Sequence, residues 1–328
     1  MTDDAVPGPS LNRRKFMTGA GALAVAGFGA RTWSNHDERF LRSQVFVARA
    51  ESYTEDLERI IRDGLLNLGL TPAWAAGKSF LLKPNLVEPS KEAPHINTNP
   101  LMVRAAADVF RGWGAREVNV AEGQGHCRDT EYVLEQSGLG SVLAEAKLDF
   151  LDLNHDEVRA ISNRLRYTTM KELWLPESLR RADIVVSMPK MKTHHWAGVT
   201  LSMKNLFGVM PGIVYGWPKN VLHHAGIPQS ILDINAVVRP QLAIVDGIVA
   251  MEGDGPIMGE PIKAGLIVIG TNPTAVDATT TRLMGIDPWR ISYLAEASGM
   301  LGPVAENHIA QRGEAIGPLV RKFKVLSL

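Results

Sequence analysis

The chain has 328 residues and carries 35 basic against 35 acidic side chains, so its formal net charge is zero and no global field draws it to nucleic acid or an anionic membrane. Hydrophobic residues make up 45% and charged residues 21%, which excludes wholesale disorder and leaves an ordinary globular chain, either one large domain or two closely associated, interleaved lobes. Cys127 is the only cysteine, which excludes an intrachain disulfide and an iron–sulfur cluster held by this chain alone.

The N-terminus reads as an address rather than as part of the fold. Asn12-Arg13-Arg14-Lys15-Phe16-Met17 precedes the apolar, small-residue run Thr18 to Ala30, the order of a twin-arginine export signal. That run is shorter than the roughly 20 residues a spanning helix needs, and no later segment looks transmembrane, so no stable membrane span is expected after processing. The signal predicts engagement of the twin-arginine export machinery and a periplasmic or extracellular location. The alternative is a basic N-terminus with an accidental arginine pair. Cargo of that route is exported folded, which hints at a cofactor or metal loaded beforehand. Residues 1–30 are therefore set apart from an α/β unit over residues 31–328, whose softest connection is the Gly- and Pro-rich stretch 207–228.

The first β-run is Gln44 to Ala50, and Thr54 to Leu68 follows with Leu57, Ile60, Ile61, Leu65 and Leu68 at helical spacing. Ser79 to Leu82 is the next β-run, and a proline-broken loop then ends at Asn99, which suits a cap for a helix starting at Pro100. That helix runs through Phe110, and a β-run at Glu117 to Ala121 completes a βαβ signature. Further β-runs at Phe150–Leu153, Ile184–Ser187, Leu242–Val245 and Leu266–Ile269 alternate with helical patterns at Tyr132–Gln136, Ile231–Val238 and Thr274–Met284. Such alternation predicts an α/β fold, a largely parallel sheet covered by helices, with a cleft between two associated lobes.

In sheets of this kind ligands bind beyond the carboxyl ends of the strands, so polar residues following β-runs are the candidates. Lys83 and Asn85 follow one run, Glu122, Gly123 and Gly125 another, Asp246 a third and Asn272 a fourth. The densest cluster is Lys190, Lys192, Thr193, His194 and His195 after Ser187, with Lys204 and Asn205 close behind. Ammonium groups suit a carboxylate or phosphate, and imidazole transfers protons near neutral pH or ligates a metal. His223 and His224 join His195 as metal candidates, although adjacent histidines are poorly placed to share one ion and no zinc-protease spacing is present. Glu252 and Asp254 lie in a glycine-rich acidic turn that either orients a lysine or cation or is a plain surface turn. Cys127, between His126 and Arg128, reads as a reactive thiol or as a partly buried inert one. Gly123-x-Gly125 is too short for a dinucleotide fingerprint, so no NAD is expected, and no Walker loop or nucleophile elbow occurs.

The motifs Lys83-Pro84-Asn85, Glu122-Gly123-x-Gly125 with Arg128-Asp129-Thr130, Pro189-Lys190-x-Lys192-Thr193-His194 and Lys204-Asn205-Leu206-x-Gly208 recur in order. With Asp246-Gly247, Glu252-Gly253-x-Gly255-Pro256 and Asn272-Pro273-x-Ala275-x-Asp277 they resemble the domain of unknown function 362 family, from Lys83 to about Gly302. The resemblance implies an α/β fold and points to the same polar residues, adding Arg128 and Asp277 to the ligand-binding candidates, without naming a substrate. Many relatives carry ferredoxin-like cysteine motifs, which this chain lacks, so a redox function is not carried over.

The leading expectation is an enzyme acting on a small anionic molecule by acid–base chemistry, with possible help from a divalent metal. His194, Lys192 and Asp246 are its catalytic candidates: Lys190, Lys192 and Lys204 hold the anion, His194 is acid or base, Asp246 or Asp254 orients a lysine or cation, and Lys83 and Asn85 complete the rim. The alternatives are an exported ligand or metal carrier without catalysis, and an accessory subunit of a redox system docking through Trp196 to Trp217.

Overall fold

A computed structural model describes residues 43–326, so the twin-arginine segment lies outside the described residues. In chain order the framework is β1 (Ser43–Arg49), α1 (Leu57–Asn67), β2 (Ser79–Pro84), α2 (Pro100–Gly112), β3 (Glu117–Glu122), α3 (Thr130–Ser137), α4 (Leu139–Ala146) and β4 (Phe150–Asp152). The hairpin β5 (Val158–Ser162) and β6 (Glu172–Pro176) precedes β7 (Ile184–Met188), β8 (Lys190–His194) and β9 (Gly198–Thr200). Then come the single turn α5 (Ser202–Asn205), α6 (Ile227–Val238), β10 (Leu242–Glu252), β11 (Glu260–Gly270), α7 (Pro273–Leu283) and β12 (Ile309–Gly313).

One sheet runs through the described chain in the order β12-β1-β11-β10-β7-β2-β3-β4, with β8 and β9 branching from β10. The pairings are parallel except β1 with β11, β10 with β11 and β8 with β9. The α/β architecture with a largely parallel sheet is therefore as the alternation of β-runs and helices predicts. Successive strand residues face opposite sides, so Phe80, Leu82, Ile184 and Val186 enter one core with α1, α2, α3 and α4. Leu81, Val185, Ala243 and Val245 enter the other core, covered by α6 and α7. Asn99 caps α2 by accepting from Leu101 N at 2.9 Å.

Two elements differ from the sequence reading. The β-run ending at Ser187 does not end the sheet there: Pro189 only interrupts it, and Lys190–His194 resumes as a strand whose five residues are all buried. β8 is held between β10 in parallel and β9 antiparallel, with Lys192 opposite Thr200 and His194 opposite Gly198. Its period of two puts Met191 into the core while Lys190, Lys192 and His194 share the other face. The run at Leu242–Val245 is likewise the start of an eleven-residue strand, shifted in register between Gly247 and Val249.

The chain runs outward through β2, β3 and β4, then returns to lay β7 on the other side of β2. Strand order thus reverses at β2, and a crevice opens beyond its carboxyl end.

Candidate functional site

A cavity of about 350 Å³ occupies that crevice, with Lys83, Glu122, Lys192, His194, Lys204 and Lys219 in its wall. A larger concavity, about 590 Å³, lies at the amino ends of β2 and β3 around Ser79, Arg116, Glu117 and Glu177. Its arginines are engaged: Arg116 pairs with Asp183 at 3.1 Å, and Glu177 takes Arg159, Arg180 and Arg181. The smaller cavity differs because its lysines outnumber its carboxylates.

Its floor is a buried ion pair. Lys83, at the end of β2, donates to Glu122 Oε2 at 2.5 Å, to Pro84 O at 2.7 Å and to Asn205 Oδ1 at 2.9 Å. Burial pushes Lys83 below its ordinary value, and Glu122 opposes that shift. Glu122 is fixed by the amides of Leu86 and Gly123 at 3.1 and 3.0 Å. Asn205 ties the pair to the sheet by donating to Lys83 O at 3.0 Å and Ser187 Oγ at 3.1 Å. The buried Asn85 Oδ1 in the same wall accepts no hydrogen bond from the described residues. Gly208 is required here, since a Cβ on it would lie 1.9 Å from Glu122 Oε1 and 2.6 Å from Lys83 Nζ.

Three further lysines reach the cavity with no carboxylate within ion-pair distance among the described residues. Lys192, from β8, donates to Ile96 O at 3.0 Å and Pro256 O at 3.2 Å. It is held well below its ordinary value by burial and then by Lys190, Lys204 and Lys83. Lys219 donates to Asn154 Oδ1 and Met210 O, and burial pushes it down to about 7. Lys204, in the turn α5, sits 3.7 Å from the centre of the Phe207 ring, and burial with Lys83 nearby pushes it down to about 7 as well.

His194 is set for donation. Its Nδ1 accepts from Trp196 N at 3.0 Å and Ala197 N at 3.2 Å, which assigns the ring proton to Nε2 and leaves that nitrogen for the cavity. Burial, then the charges of Lys204, His195, Lys192 and His223, push it down to about 2. The imidazole is therefore held neutral, with Nε2 as its donor. His223 Nδ1 meets Lys219 O at 3.0 Å, and its ring stands edge to face with Phe207 and Trp196. At the rim, His195 Nδ1 lies 3.2 Å from Asp254 Oδ1, beside the exposed Trp196 and Met258.

The structure brings together Lys83, Asn85, Glu122, Gly123, Gly125, Lys192, His194, His195, Lys204, Asn205, His223 and Asp254, all in the cavity wall. Other candidates lie elsewhere, for reasons of pairing. Lys190 and Asp246 turn away: Lys190 donates to Asp246 Oδ2 at 2.6 Å and to Tyr53 OH at 3.0 Å, and Tyr53 OH donates to Asp246 Oδ1 at 2.8 Å. This closed triad leaves Asp246 with no access to the cavity. Thr193 donates to Gly253 O at 2.9 Å from the opposite face of β8. Arg128 pairs with Glu88 at 3.1 Å, and Glu252 accepts from Lys324 N at 2.9 Å. Asn272 caps α7, while Asp277 accepts from Ser202 N at 2.8 Å and Met203 N at 2.9 Å, so it holds the turn carrying Lys204 and Asn205. His224 is outside the wall, and Cys127 is exposed rather than partly buried. Among the described residues no group of three or more His, Cys, Asp or Glu side chains is placed to hold a metal ion.

Sequence reasoning missed Lys219 and Phe207. Neither follows a strand; both sit in the connection between α5 and α6, where only the run of Gly and Pro marked the segment. No helix among the described residues is long and apolar enough to cross a membrane.

Comparisons with known proteins bear on the family. The thylakoid-associated protein sll1697 of Synechocystis sp. is 28% identical over 236 residues, which cover 70% of each chain. The lactate racemase apoprotein from Thermoanaerobacterium thermosaccharolyticum aligns with a TM-score of 0.43 and 14% identity over 66% of this chain. That alignment spans 52%, about half, of the racemase. The family model described as "Domain of unknown function (DUF362)" matches residues 80–282, the stretch that builds the ion-pair floor, β8, α5 and α7, and the chain belongs to that family.

Proposed function

We propose that the cavity binds a small carboxylate or phosphate and that the protein is an enzyme using acid–base chemistry on it. The observation that carries this reading is the convergence of Lys192, Lys204 and Lys219 on one cavity with no carboxylate in ion-pair reach. Buried ammonium groups are costly unless paired, and an incoming anion supplies the missing partner. Lys83 and Glu122 form a fixed support, and the Nε2 proton of His194 orients the ligand. Lysines pushed down to about 7 exchange protons at neutral pH, so Lys204 and Lys219 take the acid–base role.

The test is a thermal-shift series with mono- and dicarboxylates and phosphate esters. At a hundredfold excess over Kd, binding adds about 2.7 kcal/mol, a rise of several degrees. Lys192→Met and Lys204→Met abolish that rise, and no response to any anion overturns the reading. A second reading, an anion carrier without catalysis, draws support from the neutral imidazole of His194, which is held as a donor by two backbone amides. Turnover of a bound anion separates the two.

Arg13, Arg14 and the apolar run behind them support export by the twin-arginine route to the periplasm or cell exterior. Lysine in place of both arginines is expected to leave a reporter fused to residues 1–42 in the cytoplasm, and unchanged export would refute it.

A further inference from the structure

We infer that Lys204 is a nucleophile that forms an imine with a carbonyl-bearing anion held in the cavity by Lys192 and Lys219. The inference deepens the anion-binding reading and rests on it.

The four lysines of the cavity are not equivalent. Lys83 is held as an ammonium by a carboxylate and two further acceptors, and Lys192 and Lys219 each donate to two oxygens. Among the described residues Lys204 alone of the four meets no oxygen acceptor; its Nζ lies over the face of Phe207, at 3.7 Å from the ring centre. Oxygen acceptors fix the other three nitrogens in place, whereas the Lys204 amine is left to turn toward a ligand. A lysine in an apolar seat beside another cation is the arrangement that frees the lone pair, and Lys83 is that cation. Lys204 is also the charge that weighs most on His194, whose Nε2 proton is free to meet a carbonyl oxygen.

The step balances within the site. The Lys204 lone pair adds to the carbonyl carbon, a C–N bond forms, and the oxygen takes a proton from Lys219 or water to give a carbinolamine. That hydroxyl takes a proton from the new ammonium nitrogen and leaves as water, so amine, carbonyl and one proton give a protonated imine plus water with no oxidant or reductant. The anionic group of the ligand rests against the remaining ammonium groups, and apolar substituents face Phe207 and Met258.

The test adds borohydride to the full-length protein with pyruvate, phenylpyruvate or dihydroxyacetone phosphate, followed by peptide mass mapping. Pyruvate and phenylpyruvate present a carboxylate and dihydroxyacetone phosphate a phosphate, so the arms separate the two anions. The expected result is one reduced adduct on the Lys204 peptide, saturating with ligand and competed by a non-carbonyl anion that raises the melting temperature. A melting response to these ligands with no adduct on Lys204, or with adducts spread over surface lysines, overturns the imine and leaves anion binding standing. Neither response nor adduct overturns both. The wild-type map decides the matter even where Lys204→Met fails to fold.

Discussion

Glu122→Gln removes the carboxylate paired with Lys83, a fully buried ammonium that would retain Pro84 O at 2.7 Å and Asn205 Oδ1 at 2.9 Å. Breaking one side of a buried pair costs about 3–5 kcal/mol. A second route to the magnitude gives a ceiling: carrying Lys83 as a neutral amine at pH 7 costs about 5 kcal/mol, at about 1.4 kcal/mol for each pH unit below its ordinary 10.5. The variant takes whichever form lies lower, so a loss of about 3–5 kcal/mol is expected. Its pH dependence has a definite sign. Without the carboxylate the folded-state value of Lys83 falls further below the unfolded one, and the unfolded chain binds the extra proton in between. Stability of the variant therefore climbs with pH, by up to about 1.4 kcal/mol per unit, and the deficit against wild type narrows toward alkaline pH. Urea unfolding of both proteins in steps from about pH 7 to about pH 10 reads this directly. Replacing both partners, Lys83→Met with Glu122→Leu, is expected to recover much of the loss. A deficit below about 1 kcal/mol at pH 7, or one that does not change with pH, refutes a charged pair in the floor.

Lys204 and Lys219 are both pushed down to about 7, so wild-type stability is expected to rise between pH 7 and 10.5 as the unfolded chain holds protons the fold does not. Lys204→Met flattens that rise, and an unchanged slope in urea titrations contradicts the burial argument. Tyr53→Phe deletes the hydroxyl shared by Lys190, Asp246 and Val249 N and is expected to cost about 1–3 kcal/mol while leaving anion-induced stabilisation intact. Loss of the anion response would return Lys190 and Asp246 to the site. Asp277→Ala removes the acceptor of two amides at the start of α5, with an expected loss of about 1–2 kcal/mol and weaker anion affinity, measured by unfolding and calorimetry. Retained affinity would show that α5 positions Lys204 without Asp277.

The layered architecture was legible in the sequence because strands buried on both faces read as continuous apolar runs: Leu81 and Leu82, Val185 and Val186, and Ile244 and Val245 each send neighbours into opposite cores. Asn99 before Pro100 marked a helix start because capping depends on adjacent residues alone. β8 was not legible, since Lys190-Met191-Lys192-Thr193-His194 carries a loop's polarity and becomes a buried strand only where β10, β9 and backbone carbonyls receive it.

The sequence by itself determined the α/β fold, the family motifs and the chemical types available: many lysines and histidines beyond strand ends, and one cysteine. Only the tertiary structure decided which of those lysines share a cavity. Lys190 and Lys192 stand two residues apart on one strand face, yet the first is neutralised by Asp246, 56 positions away, and the second faces the cavity with carbonyl acceptors alone. Whether a buried ammonium is satisfied depends on partners brought in from distant strands, and that pairing is a property of strand order and register, which local sequence does not encode.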